Sequence, residues 1–315
     1  MIVLESTLPV VEQARHVTID DAAIKRWAGQ VSRGDLRPQA HDLLSQMPGD
    51  QAQLANLVLL VDALNFCFWS PDPIKFTWRG HTYQRFEAML VSLMLAARFE
   101  PQWFDPRFWL RVPGAEIQQV LGGSGQLLLM EERERIIRET AQTLIDRFDG
   151  QFSGAIESVN KRAWPLAVLL MTNFDSFRDV STYRDRPVFF MKRAQICALD
   201  VSLAWQAQGY PELGGLEDLT AFADYRVPQA LRHLGIVRLS PELAERIERE
   251  EEIAKDSEEE VEIRAATLHA VERMRQAAQA AGKPAATWQI DWYLWELGRG
   301  GEMGAKHHRT RTVFY

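Results

Sequence analysis

Residues 50–66, DQAQLANLVLLVDALNF, constrain this chain more than any other stretch. Apolar residues stand at 54, 57, 58, 61 and 64, which is one helical face, and again at 59 and 60. A helix with that pattern has almost no polar side to offer water and must be surrounded by the rest of the protein. Other segments have the periodicity to do the surrounding. Residues 86–99 read as a second buried helix. Residues 131–148 are amphipathic with Ile136, Ile137, Leu144, Ile145 and Phe148 inward, and residues 152–171 form another helix that restarts at Pro165. A long helix over 188–208 carries the stripe Phe189, Ile196, Leu199, Leu203 and Ala207. A late one carries Val261, Leu268, Val271, Met274 and Ala278. The acidic run 248–262 reads as a solvated helix face. Only residues 76–86, around Arg79-Gly80, alternate convincingly as a hairpin, residues 1–17 read as extended, and the end 307–315 alternates like a strand. The expectation is a mainly α protein, a single compact helical domain over 1–315 with at most a small β-hairpin and an extended C-terminus.

The charge balance narrows the function. The 315 residues carry 36 Lys and Arg against 43 Asp and Glu, a net charge of −7. That argues against a protein that tracks a nucleic-acid backbone, which requires clustered cations. Cys67 and Cys197 lie far apart, with no CxxC or Cys/His spacing for zinc, so no metal is expected. Glu5 interrupts the N-terminal apolar stretch, and the aliphatic run Leu57 to Val61 is far too short to span a bilayer. A cytoplasmic protein with a small-molecule partner is expected. Gly122-Gly123-Ser124-Gly125 lacks the Lys-Ser/Thr ending of a phosphate loop and reads as a turn.

Several stretches gather groups that could do chemistry. Asp218 to Pro228 combines acids, aromatics and a base where a proline interrupts the pattern. One helical turn would put Asp218 and Phe222 on a common face, and an extended exit would keep Phe222 and Asp224 on one side. The alternative is a helix end with a solvated carboxylate and a core phenylalanine. Lys192 and Asp200 stand two turns apart near an apolar stripe, as a site or as a structural pair. In the last helix, capped by Thr287, Asp291 shares a face with Trp288, Trp292 and Trp295, where an acid needs a donor or cation. Glu296 follows on the neighbouring face. His41 sits beside Asp42 in a loop-rich stretch, and His307 to Arg311 form a basic cluster suited to phosphate or to paired carboxylates.

Taken together, Leu64-Asn-Phe-Cys-Phe-Trp-Ser70, Lys192-Arg-Ala-Gln-Ile196, Phe222-Ala-Asp-Tyr-Arg-Val-Pro-Gln229, Asp291-Trp-Tyr-Leu-Trp-Glu296 and His308-Arg-Thr-Arg resemble the queuosine salvage proteins, the queuosine 5′-phosphate N-glycosylases. The resemblance covers roughly residues 36 to 315. It implies a helical fold similar to DNA glycosylases and hydrolysis of the bond between ribose C1′ and a 7-deazaguanine nitrogen, with no cofactor, giving queuine and ribose 5-phosphate for tRNA modification. Such a reaction needs a carboxylate beneath a sugar that develops positive charge. By resemblance Asp218 and Asp224 are the two candidates for the catalytic carboxylate, with Asp218 assigned to C1′ or the attacking water and Asp224, with Phe222 and Tyr225, to holding the nucleoside. Asp291 and Glu296 suit the base edge or the queuine amine, Trp295 stacks the base, and Asp200 accompanies Lys192. His41 is a base or ribose contact, and Lys192, Arg226, His308 and Arg309 are candidates for the 5′-phosphate. A glycosylase acting on a base in nucleic acid and a non-catalytic nucleotide-binding module are the alternatives.

Overall fold

The computed structural model describes residues 1–36, 42–299 and 303–315. It is mainly helical, and the helix read as central is central. Gln51–Ala63 is buried on all sides from Leu54 onward. Its start is fixed by a capping box, in which Asp50 accepts the N–H groups of Ala52 and Gln53 while Gln53 reaches back to the N–H of Asp50. The helices Lys192–Ala207, Phe152–Ser158, Phe86–Phe99 and Met130–Phe148 pack around it. Polar atoms within this core are provided for. Asn56 accepts the N–H of Phe152 at 2.8 Å and donates to the carbonyls of Phe104 and Gly150.

The C-terminal end of that helix is held by two buried guanidinium groups. Arg133 donates to the carbonyls of Leu64, Phe66 and Leu128, and Arg193 to those of Asp62, Ala63 and Ser176. Cations at the carbonyl end also match the helix dipole. Beyond it the chain runs without regular structure from Asn65 to Ser70, alongside the extended C-terminus. Cys67 donates to the carbonyl of Tyr315 at 2.9 Å, and Trp69 Nε1 donates to that of Thr310 at 3.1 Å.

Four further helices, Ile2–Gln13, Asp21–Gln30, Arg226–His233 and Thr287–Arg299, gather on the long helix Glu258–Ala280. Two sequence readings change here. The N-terminus is helical rather than extended, because Val3, Thr7 and Val10 face Glu258–Ala280 and Thr7 Oγ1 meets His269 Nε2 at 3.0 Å. Pro9 and the polar threonine disguise that face. The acidic run is not all solvated: Glu260 and Glu262 are buried. Glu262 accepts the N–H groups of Arg15 and His16 and the Tyr183 hydroxyl. Three short antiparallel pairs occur among the described residues instead of one hairpin: Val17–Ile19 with Val237–Leu239, Lys75–Trp78 with His81–Gln84, and Val180–Tyr183 with Arg186–Phe189. Gly122 ends the helix Gly114–Gly122, and residues 123–125 turn the chain, held by paired bonds between Ser124 and Lys75. Gly123 is required there, since a Cβ would stand 2.6 Å from the Lys75 carbonyl oxygen. Among the described residues no helix is long and apolar enough to cross a membrane.

Candidate active site

A cavity of about 360 Å³ opens where the start of Lys192–Ala207, the loop before Arg226–His233, the helix Thr287–Arg299 and the hairpin exit at Arg85 converge. Local bonding explains why the loop presents its side chains here. Thr220 is locked to Gln195 by three bonds, from its N–H and hydroxyl to Gln195 Oε1 and from Gln195 Nε2 to its Oγ1. The N–H of Phe222 then donates to Asp291 Oδ1 at 2.8 Å, fastening the loop to the last helix. Asp224 Oδ1 closes the segment by accepting the N–H groups of Arg226 and Val227 at 2.7 and 2.9 Å. It acts as an N-terminal cap for Arg226–His233. Among the described residues Asp224 Oδ2 has no hydrogen-bond partner, so one carboxylate oxygen is fixed and the other is available.

Eight of the residues given a site role from the sequence line this cavity: Lys192, Asp200, Phe222, Asp224, Tyr225, Arg226, Asp291 and Trp295. Lys192, Asp200, Asp224 and Asp291 are all buried. Burial makes charge expensive, so it pushes the Lys192 ammonium down and all three carboxyls up, but not equally. Asp224 is raised by burial and pulled back by Lys192 and by its two backbone N–H bonds. Asp291 and Asp200 are raised well above the carboxylate range by burial, with the nearby Asp224 adding to the first and Asp62 to the second. Burial raises all three acids and Lys192 opposes the rise in each, but only Asp224 is also pulled back by two backbone N–H bonds, which makes it the best supported of the three as a carboxylate.

The other expected residues lie elsewhere. Asp218 ends a 3-10 turn, Leu216–Asp218, with its side chain 46% exposed and paired with Arg162 at 3.3 Å. It does not line the cavity. The chain leaves Asp218 extended rather than helical, so the four-residue spacing to Phe222 does not create a common face. Glu296 faces outward and pairs with Arg299 at 2.9 Å. Arg309 is paired with Glu250 at 2.6 Å. His308 is buried beside Tyr315, with the ring centroids 6.0 Å apart, and does not itself line the cavity. His41 falls outside the described residues.

The structure adds residues that were not chosen from sequence. Arg85, Glu87, Arg299 and Tyr315 line the cavity. Asp62 stands directly behind it, fully buried, with its carboxyl raised by burial and Oδ1 accepting from Asn65 at 3.2 Å. A single acid in LVLLVDAL was a readable signal for Asp62; the other four have no comparable mark in the sequence. Elsewhere His16, Glu258 and Glu262 bring ligand atoms within 4.8 Å of one another, but the Glu262 oxygens already accept the bonds described above.

A mainly helical protein with an aromatic-walled cavity, a buried lysine and three buried carboxyls has the equipment to bind a small polar molecule with a planar portion. Residues 45–315 match the family described as queuosine salvage protein, and the chain belongs to that family. It is 39% identical over 314 residues to a queuosine 5′-phosphate N-glycosylase/hydrolase of Sphaerobacter thermophilus, covering 99% of this chain and 97% of the relative. Proteins of the same description from Dictyostelium discoideum and Bos taurus are 39% and 28% identical over 264 and 333 positions. These matches cover 83% and 99% of this chain, and 78% and 98% of the relatives.

Proposed function

We propose that this protein hydrolyses the N-glycosidic bond of queuosine 5′-phosphate, releasing queuine and ribose 5-phosphate. The observation that supports the reading is the aromatic-walled cavity that gathers Lys192, Asp224, Asp200 and Asp291, in which Asp224 Oδ1 is fixed by two backbone N–H groups; we assign Asp224 as the carboxylate and Asp291 and Asp200 as neutral donors. Cleavage breaks the bond from C1′ to the ring nitrogen, the electron pair leaves with the base, and positive charge builds on the ribose. Asp224 is the carboxylate that stabilises that charge and orients water toward C1′. Water delivers hydroxide to C1′ and, in net balance, one proton to the departing base. A 7-deazaguanine has carbon in place of guanine N7, so it cannot be activated by protonation there. Its remaining polar atoms must take the developing negative charge, and neutral Asp291 and Asp200 supply the hydrogen bonds. Phe222 and Trp295 offer flat faces to the base.

Of the two candidates for the catalytic carboxylate, this reading keeps Asp224 and drops Asp218, which does not line the cavity. The acidic balance of the chain supports a free nucleotide as substrate over a base within a polymer. Both cysteines are unbonded and buried, which supports a reducing compartment, and we place the enzyme in the cytoplasm. Purified protein incubated with queuosine 5′-phosphate should release queuine and ribose 5-phosphate in equal amounts, read by liquid chromatography and mass spectrometry. Tight binding of the intact nucleotide with neither product formed would overturn the reading.

A further inference from the structure

Asp62 is a fully buried acid to which the proposed reaction gives no role. It stands in the last turn of Gln51–Ala63, against the start of Lys192–Ala207, where Arg193 Nη1 donates to its carbonyl at 3.3 Å. Its two carboxyl oxygens differ. Oδ1 accepts from the Asn65 amide at 3.2 Å, and Oδ2 is buried with no hydrogen-bond partner. Lys192 is in a matching condition: it is buried, it lines the cavity, and its Nζ makes no hydrogen bond or ion pair among the described residues. Carboxyls stand on both sides of it. Asp224 and Asp291 line the cavity and Asp62 lies behind; of the three, Asp224 acts most strongly on the ammonium, Asp62 next and Asp291 least. The other titratable groups nearby belong to the lysine's own helix. Arg193 opposes the Lys192 charge, while the Cys197 thiol and Asp200 both lie within the field of Asp62. The Asp179 carboxylate, which accepts the N–H of Lys192, is already gripped by Arg264. A buried ammonium with Asp224 as its sole counter-charge would hold that carboxylate to itself, whereas a second carboxylate behind it shares the task.

We propose that Asp62 is a positioning residue of the reaction: as a counter-charge behind the cavity it keeps Lys192 protonated and leaves Asp224 free to face C1′, an inference that rests on the function proposed above. Burial raises the Asp62 carboxyl to about 7, with the Asn65 bond and then Lys192 and Arg193 opposing the rise. Above that pH its negative charge favours the ammonium. Below it Asp62 is a neutral acid, and Lys192 depends on the carboxyls of the cavity.

Asp62→Asn isolates the charge, because the new amide still accepts from Asn65 through its own oxygen. It should move the basic limb of the kcat/KM profile on queuosine 5′-phosphate down by about one pH unit while the acid limb stays in place. Asp62→Ser, also neutral and smaller, should do the same. A rate loss equal at every pH would make Asp62 a structural residue only and overturn the proposal. The second measurement needs neither turnover nor a variant at Asp62. In wild-type protein carrying isotope-labelled lysine, the Lys192 side-chain resonance, identified by its absence from Lys192→Met, should bend near pH 7 as Asp62 ionises, besides showing its own titration. In Asp62→Asn the bend should vanish and the lysine's own titration should move to lower pH. A wild-type resonance with no bend near neutrality, or a Lys192 titration unmoved in Asp62→Asn, would also overturn it. If the wild type does not turn over queuosine 5′-phosphate, the glycosidase reading fails, and the resonance alone decides whether Asp62 holds the Lys192 charge.

Discussion

Arg264 and Lys192 are both buried cations that face carboxylates, in neighbouring parts of the same fold, and they are completed in opposite ways. Arg264 grips both oxygens of Asp179 at 2.9 and 2.6 Å, donates Nε to the carbonyl of Ala223 at 3.1 Å, and lies 3.9 Å from the centre of the Phe190 ring. Glu260, 3.6 Å away, accepts the Tyr315 hydroxyl at 2.7 Å. Around Lys192 the acids outnumber the cation, Asp224 Oδ2 has no partner among the described residues, and Asp62 Oδ2 is buried without one. A buried ion pair with every lone pair used is structural, whereas one left open stores electrostatic potential for a ligand. The two are also joined: Asp179 accepts the N–H of Lys192 at 3.0 Å, and Ala223 precedes Asp224. The saturated cluster thus positions the open one.

Breaking the saturated side should have the largest effect on stability. Asp179→Ala leaves the Arg264 charge buried and should cost about 3–5 kcal/mol in urea unfolding. A loss near that of an ordinary surface substitution would remove the distinction between the two clusters. On the open side, Lys192→Met removes the charge that most strongly helps Asp224 to ionise. If Asp224 works as a carboxylate, as proposed, the acid limb of the kcat/KM profile should move to higher pH. An acid limb that stays in place would detach Lys192 from Asp224.

A smaller effect concerns buried histidine. Burial holds His269 at about 4, below its ordinary value. Its contribution is complete above the unfolded value near 6.5 and is lost as pH falls toward 4. Between pH 7 and pH 5, His269→Gln should therefore lose less stability than the wild type, by about 1–2 kcal/mol. Equal losses would show that His269 takes up its proton as readily folded as unfolded. The smallest effect belongs to Asp218→Asn: turnover close to wild type and a stability change under about 0.5 kcal/mol, because its pair with Arg162 is exposed. Abolished turnover would return the catalytic carboxylate to Asp218.

The same comparison shows what the sequence could reveal. Helices with a continuous apolar pattern, such as Gln51–Ala63, are legible because their burial is written into their own residues. Lys192, Asp200 and Asp291 are legible as charged residues set into apolar or aromatic stripes. What is not written locally is whether an acid is covered. Asp218 and Asp224 look alike in sequence, and only the tether of Thr220 to Gln195 and of Phe222 to Asp291 turns the second inward. Glu260 and Glu262 sit in an acidic run that reads as solvated, yet their partners Tyr315 and Tyr183 come from distant parts of the chain. Arg85 lies at the end of a stretch whose alternation marks a hairpin but not what the hairpin exit faces, so its place in the cavity is a tertiary fact.

The claim that one acid works ionised and another protonated is tested most directly by replacing each with its neutral amide and measuring kcat on queuosine 5′-phosphate. Asparagine resembles a protonated aspartic acid in shape and can still donate a hydrogen bond. The account predicts that Asp224→Asn lowers kcat by about 10²–10³-fold, while Asp291→Asn lowers it by less than about 10-fold. Equal losses in the two variants, or the larger loss in Asp291→Asn, would contradict it.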